Sequence, residues 1–70
     1  MQVQIRETDE FIKLGQALKK AGLVGSGVEA KEVIQNGEVE VNSEVDTRRG
    51  RKLYDGDRVS FNGEEIEIVK

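Results

Sequence analysis

The spacing of apolar residues changes sharply at Asn36-Gly37. Before that point apolar residues recur every three or four positions, and after it they alternate with polar ones. One alternating stretch, QVQIR, also precedes the helical region. This order predicts an α+β fold, in which two short helices form a helix-turn-helix pair packed on a small, mostly antiparallel sheet of four or five strands.

The first predicted helix covers TDEFIKLGQALKKAG. Thr8 is its expected N-cap, and Gly22 is a C′ residue that can adopt the left-handed backbone conformation. An apolar stripe at helical spacing is formed by Phe11, Leu14, Leu18 and Ala21. The opposite, polar face carries Lys13, Gln16 and Lys20.

The second predicted helix is SGVEAKEVIQNG. Ser26 and Glu29 have the spacing of a capping box. Ala30 is expected to face the core and Lys31 the solvent. Only LVGS joins the two helices, so they should pack side by side. The start of this helix offers free N–H groups and the positive end of the helix dipole, to which a phosphate can bind.

A C-terminal hairpin is predicted in DRVSFNGEEIEIVK. Asn62-Gly63 is a type I′ turn signal, and a two-residue loop there pairs Val59 with Ile66. The N-terminal QVQIR is expected to lie beside EIEIV in the same sheet.

A second hairpin is predicted in EVEVNSEVDT, where two registers compete. A two-residue loop would mix polar and apolar side chains on each face, so a three-residue loop that pairs Val41 with Val45 is preferred. The predicted core consists of Val3, Ile5, Phe11, Leu14, Leu18, Leu23, Val33, Ile34, Val39, Val41, Leu53, Val59, Phe61, Ile66 and Ile68.

The composition limits the chemistry available to the chain. Its 70 residues are predicted to form one small domain, 1–70, with room for a single core. The absence of Cys and His removes disulfides, the usual general base and the usual zinc ligands. We therefore predict no catalytic residue, no metal site and no cofactor, and we do not expect an enzyme.

The chain carries no sign of a membrane segment. No apolar run approaches the roughly 18 residues needed to cross a bilayer. The N-terminus, MQVQIRETDE, lacks the apolar region of a signal peptide. We therefore expect a cytoplasmic monomer.

Positive charge is concentrated in one segment, although the net charge is −3. The sequence DTRRGRKLYDGD carries four cations: Arg48, Arg49, Arg51 and Lys52. Such a loop can be merely solvated, but the planar fork of Arg suits phosphate. Tyr54 follows, and its ring can stack on a base or close the core. A basic patch would be extended by three lysines on the outer helix faces: Lys13, Lys20 and Lys31.

The order of these motifs resembles the small RNA-binding domain named after ribosomal protein S4, also called the alpha-L motif. The resemblance is carried by a helix ending in Gly, SGVEAKEVIQNG, VEVN, the basic loop and DGDRV, over about positions 11–61. The run from SGVEAKEVIQNG to DGDRV resembles the stand-alone bacterial branch of the YbcJ and YaaA type.

The resemblance implies non-catalytic binding of structured RNA, with ribosomal or transfer RNA as the expected class and the ribosome or its precursors as partners. It implies RNA contacts at Ser26, Lys31, Arg48, Arg49, Arg51 and Lys52. The predicted RNA-binding set is completed by Lys13, Lys20 and Tyr54.

Two positions depart from the family pattern. Gly27 follows the capping Ser where family members often have Arg, which removes one expected phosphate contact. Ser43 follows Val-x-Val-Asn where members usually have Gly, which affects only the geometry of the turn.

Two other functions remain open. The Arg-rich loop can serve a protein–protein adaptor that binds an acidic partner. The less favoured alternative is a small enzyme that acts on RNA, against which the missing His and Cys count.

Overall fold

Seven strands and two helices form in the computed structural model, which describes residues 1–70. The helices are α1 (Leu14–Lys20) and α2 (Gly27–Gln35). The strands are β1 (Gln2–Gln4), β2 (Ile12–Lys13), β3 (Val39–Val41), β4 (Glu44–Val45), β5 (Lys52–Leu53), β6 (Arg58–Phe61) and β7 (Glu64–Val69). Apart from β2, this is the predicted order of a strand, two helices and several further strands.

The main sheet has five strands in the order β1-β7-β6-β3-β4, and only the β1–β7 pair is parallel. β2 and β5 form a separate antiparallel ribbon. Side chains from both helices and from the sheet share one buried cluster, so the helices cover one face of the sheet. The predicted α+β fold, with two helices on a mostly antiparallel sheet, is confirmed.

The C-terminal hairpin has its predicted register. Asn62 and Gly63 have φ values of 52° and 80°, which both lie in the left-handed region that a type I′ turn requires. Val59 pairs with Ile66. The pairing of QVQIR with EIEIV is also confirmed, since β1 lies beside β7.

The predicted three-residue loop between β3 and β4 is wrong. The loop contains only Asn42 and Ser43, and Val41 therefore pairs with Glu44. Val45 moves to the solvent side and is 56% exposed. The alternation argument failed because it weighed only this hairpin and ignored contacts from outside it.

Those outside contacts act on Asn42. Its side chain donates a hydrogen bond to the carboxylate of Asp57 (3.1 Å) and accepts one from the backbone N–H of Arg58 (3.0 Å). Asn42 and Ser43 both have positive φ, at 51° and 72°. The two-residue loop is therefore held in the left-handed conformation by the neighbouring strand β6.

The first helix begins at Leu14, and the predicted N-cap at Thr8 is wrong. Lys13 is the N-cap residue, with an extended backbone. The segment before it pairs with β5 as strand β2, which takes Phe11 out of the predicted helical stripe. Because the helix starts later than predicted, its buried face consists of Leu14, Gly15, Ala17 and Leu18.

The second helix follows its prediction closely. The hydroxyl of Ser26 accepts the N–H of Glu29 (3.1 Å), and Gly37 has a positive φ after the last turn. In a capping box the Glu29 carboxylate would accept the N–H of the N-cap residue Ser26. Here it accepts the N–H of Gly25 instead (2.7 Å). This bond joins the helix to the preceding loop.

One hydrophobic cluster forms the core, and burying a single large aliphatic side chain in it contributes about 1.5 to 3 kcal/mol. Four predicted members are only half-buried: Phe11, Leu23, Val33 and Phe61. Ala17 and Val24 are buried without having been predicted, and Ala30 packs inward as predicted. The buried hydrophobic residues are Val3, Ile5, Leu14, Ala17, Leu18, Val24, Ala30, Ile34, Val39, Val41, Leu53, Val59, Ile66 and Ile68.

Candidate nucleic-acid interface

Asp46 binds two of the four cations of the basic segment. Arg48 donates to its carboxylate from Nε (3.0 Å) and Nη2 (2.8 Å), and also from its backbone N–H (2.9 Å). Arg51 donates from Nη1 to the same carboxylate (2.8 Å). Asp46 itself is only 6% exposed. We call these three residues the Asp46 clamp.

The clamp shifts the pKa of two of its members. Hydrogen bonds from Arg48 hold the pKa of the Asp46 carboxyl well below its usual range, against the opposing effect of burial, and Arg51 lowers it further. The bond to Asp46 raises the pKa of Arg48. The carboxylate therefore stays charged at neutral pH and cancels one of the two Arg charges.

The backbone of the basic segment closes the start of α1. The N–H of Leu14 donates to the carbonyl of Arg51 (2.8 Å), and the N–H of Gly15 donates to the carbonyl of Arg49 (3.1 Å). These bonds satisfy two of the N–H groups that a helix leaves free at its first turn. They also place Arg49 directly beside the helix.

Arg49 then borders a cleft of about 340 Å³ between α1 and the start of α2. Lys13 and Lys19 border the same cleft, and none of these three cations forms an ion pair within the chain. No acidic residue lines the cleft. Its lining consists of Lys13, Gly15, Gln16, Lys19, Gly27, Ala30, Arg49 and Gly50.

The N-terminus of α2 opens into this cleft. The N–H groups of Gly27 and Val28 have no hydrogen-bond partner in the chain, whereas that of Glu29 is capped by Ser26. Gly27 lines the cleft, and a Cβ on it would meet nothing within 4 Å, so there is open space beside the first residue of the helix. Free N–H groups at a helix start favour an anion. Ser26 therefore caps the helix and leaves two donors for a ligand.

The predicted lysines take different positions. Lys13 lines the cleft, and Lys31 is exposed one turn after Gly27 on α2. Lys20 does not reach the cleft, because its Nζ donates to the carbonyl of Gln4 (2.7 Å) at the end of β1. Lys19 was missed by the sequence analysis. The sequence feature that could have identified Lys19 is its position one turn after Gly15, on the side of α1 that lines the cleft.

Tyr54 is 48% exposed and does not close the core. Its ring lies against that of Phe11, with the centroids 6.1 Å apart and an angle of 55° between the planes. The Nζ of Lys52 lies 4.9 Å from the centroid of the Phe11 ring. Both Lys52 and Tyr54 are therefore accessible beside the basic segment.

The structure has neither a metal-ligand cluster nor a membrane-spanning helix. No group of three or more His, Cys, Asp or Glu side chains is arranged to hold a metal ion. Neither helix has the length and apolar character needed to cross a membrane.

The family model for the S4 domain matches residues 3–69 of the chain. The "Probable ribosome maturation protein RlbA" of Bacillus subtilis is 54% identical over 54 residues, which cover 77% of this chain and 76% of RlbA. YbcJ of Escherichia coli is 38% identical over 58 residues, or 83% of each chain.

A solved structure supports the same relationship. The solution structure of YbcJ from E. coli, described as revealing an alpha-L motif involved in RNA binding, superposes with a TM-score of 0.75 at 32% identity. The match covers 99% of this chain and 86% of that one. The fold of YbcJ is thus shared by this chain, and the sequence similarity to the two relatives extends over 77% and 83% of its length.

Proposed function

This chain belongs to the S4 domain family, and from that premise we propose that it binds structured RNA without catalysing a reaction. The observation that carries the proposal is the cleft bordered by Lys13, Lys19 and Arg49, which is also lined by Gly27, the first residue of α2, whose N–H is free. Three unpaired cations and a helix N-terminus around one concave surface suit a phosphate backbone. The negative net charge favours binding through this one face over general adhesion to RNA.

The names of the relatives bear on which class of RNA the protein binds. RlbA is named as a probable ribosome maturation protein, and YbcJ has a motif described as involved in RNA binding. These relatives support ribosomal RNA, or its precursors, as the ligand class, with transfer RNA as the second choice. A cytoplasmic monomer is the form in which we expect the protein to act.

The proposed contacts are not expected to contribute equally to RNA affinity. Lys13, Lys19 and Arg49 are the main phosphate contacts, with Ser26 ordering the helix start and Lys31 extending the face. Lys52 and Tyr54 lie at its edge. Arg48 and Arg51 contribute less than their charge suggests, because the Asp46 carboxylate offsets part of that charge and already accepts from Nε and Nη2 of Arg48 and from Nη1 of Arg51. Lys20 is engaged by Gln4 and is no longer a favoured contact.

Salt dependence of binding tests the proposal. Each phosphate contact adds roughly 0.7 to 0.9 to the slope of log affinity against log salt. Three contacts should therefore lower the affinity about 20- to 40-fold between about 50 and 200 mM salt. The triple variant Lys13→Gln, Lys19→Gln, Arg49→Gln should lose most of this dependence on a ribosomal RNA fragment.

A charge-matched control removes three cations that do not line the cleft: Arg6→Gln, Arg58→Gln and Lys70→Gln. It should keep the salt slope of the wild-type protein. Equal slopes for both triple variants would contradict the proposed face. If no RNA binds and an acidic protein partner is lost on mutation of the basic loop, the adaptor function is correct instead.

A further inference from the structure

The two-stranded ribbon presents a second surface next to the cleft. β2 and β5 pair with Ile12 opposite Leu53 and Lys13 opposite Lys52. The same antiparallel register places Phe11 opposite Tyr54, one residue beyond the ribbon, and their rings are in contact. Two aromatic rings and two lysines are thus set side by side across two strands.

Side-chain alternation puts these four residues on the outer face. Leu53 is fully buried and Ile12 packs against the core, so the residues on either side of each point the other way. Lys13, Lys52 and Tyr54 are exposed and Phe11 is half-buried. We call Phe11, Lys13, Lys52 and Tyr54 the ribbon face.

The backbone of Tyr54 is held by two hydrogen bonds to Asp57, and its side chain is exposed. Its N–H donates to the carboxylate of Asp57 (2.8 Å), and its carbonyl accepts the N–H of Asp57 (3.0 Å). The chain has only three aromatic residues, and two of them are in the ribbon face. Large rings add most to a small core when they are buried, so an exposed ring on a rigid turn is available to a ligand.

The charges of the ribbon face identify the ligand. Lys52 and Lys13 form no ion pair in the chain. Lys52 lies over the Phe11 ring, which contacts the ring of Tyr54, so a cation stands close to the exposed Tyr54 ring. A nucleotide has the complementary parts, because its base offers a π-face and its phosphate a negative charge.

We propose that the ribbon face takes an unpaired nucleotide of the bound RNA, with the base stacked on the exposed ring of Tyr54 and the phosphate beside Lys52 and Lys13. The inference rests on the proposed RNA-binding function. Lys13 belongs to both surfaces, so a duplex whose phosphates occupy the cleft would bring a bulged or looped nucleotide onto the ribbon. A base inside a continuous duplex cannot stack in this way. The preferred ligand is therefore an RNA helix with an unpaired nucleotide.

Tyrosine fluorescence provides a direct test, because Tyr54 is the only Tyr and the chain has no Trp. Two RNA hairpins are compared, identical except for a single bulged adenosine. The bulged hairpin should quench the emission and bind more tightly than the paired one. Tyr54→Ala should weaken binding of the bulged hairpin on the order of ten-fold and leave the paired hairpin unaffected. Tyr54→Phe should retain the tighter binding.

Val45→Ala, another exposed residue, serves as the control for folding and should bind both hairpins as the wild-type protein does. Equal affinity for both hairpins without quenching would overturn the inference while leaving the proposed function in place. Binding of neither hairpin would refute the proposed function as well. Quenching by an acidic peptide but not by the bulged hairpin would assign the ribbon face to a protein partner and overturn the inference.

Discussion

The Cγ atom of Arg49 lies 2.8 Å from the position that a Cβ on Gly15 would occupy. The two residues are also joined through the backbone, since the Gly15 N–H donates to the Arg49 carbonyl. No side chain larger than hydrogen fits between the helix and the arginine. Gly15 therefore allows Arg49 to border the cleft.

Gly15→Ala should move Arg49 away from α1 and lower RNA affinity. We expect the salt slope to fall by roughly 0.7 to 0.9, as for the loss of one phosphate contact. Stability should change little, because Ala favours the helix by up to about 1 kcal/mol while the crowding opposes it. Gly25→Ala is the control, since Gly25 does not line the cleft and a Cβ there makes only an ordinary contact of 3.5 Å with the Glu29 carboxylate. Unchanged affinity in Gly15→Ala would remove Arg49 from the proposed face.

Asp46→Asn should destabilise the fold, because Arg48 and Arg51 lose a charged acceptor that is almost fully buried. The expected loss in the free energy of unfolding is about 2 to 3 kcal/mol, measured by urea denaturation. Glu44→Gln is the matched control, an exposed acid in the same hairpin without an ion pair. A similar loss in both variants would show that the clamp adds nothing specific.

Acid should remove the contribution of the same clamp. The pKa of Asp46 is lowered in the folded protein, so its stabilising effect is complete above the unfolded value of about 3.9. The effect is lost as the pH falls through the lower, folded pKa. Thermal melting from pH 7 down to the acid range should therefore show a steeper decline below about pH 4 for the wild-type protein than for Asp46→Asn. Parallel curves would contradict this assignment.

Gly27→Arg should increase RNA affinity. The site is open, and an Arg there would place a fourth cation beside the free N–H groups of α2. The salt slope should rise by roughly 0.7 to 0.9, with a stability cost of about 0.3 to 1 kcal/mol from positive charge at a helix N-terminus. Gly27→Gln, which adds length without charge, should leave the slope unchanged. A gain of equal size in the Gln variant would point to contacts other than phosphate.

Neighbouring residues on α2 should respond in opposite ways. Lys31→Glu should weaken RNA binding without unfolding the protein, because Lys31 is exposed. Ala30→Glu should unfold it, because Ala30 is fully buried and an unpaired charge there cannot be accommodated. Circular dichroism and RNA titration of both variants check this. If Lys31→Glu unfolds the protein instead, its role is structural.

Part of the candidate site was predictable. The basic segment, Lys13 and the start of the second helix were all identified from residue type and spacing. Lys19 borders the cleft but was not predicted, and Lys20 was predicted but its Nζ donates to a carbonyl outside the cleft, because a helical pattern shows which side a lysine occupies but not which carbonyl is in reach. The Gln4 carbonyl that binds Lys20 belongs to a strand sixteen residues away. The clamp was missed because Asp46 was counted only as one of several acidic residues.

The sequence by itself determined the features that depend on near neighbours. These are the α+β order, the Ser26 cap, the Gly37 helix end and the Asn62-Gly63 turn, each set by local backbone preference and hydrophobic period. Only the tertiary structure decided where the first helix begins, because strand pairing with β5 and the carbonyls of Arg49 and Arg51 fix its first turn. It also decided the Asn42-Ser43 register, through the hydrogen bonds of Asn42 with Asp57 and Arg58. Hydrogen bonds between segments far apart in the chain leave no periodic signal, and at these two places they outweigh the local preference.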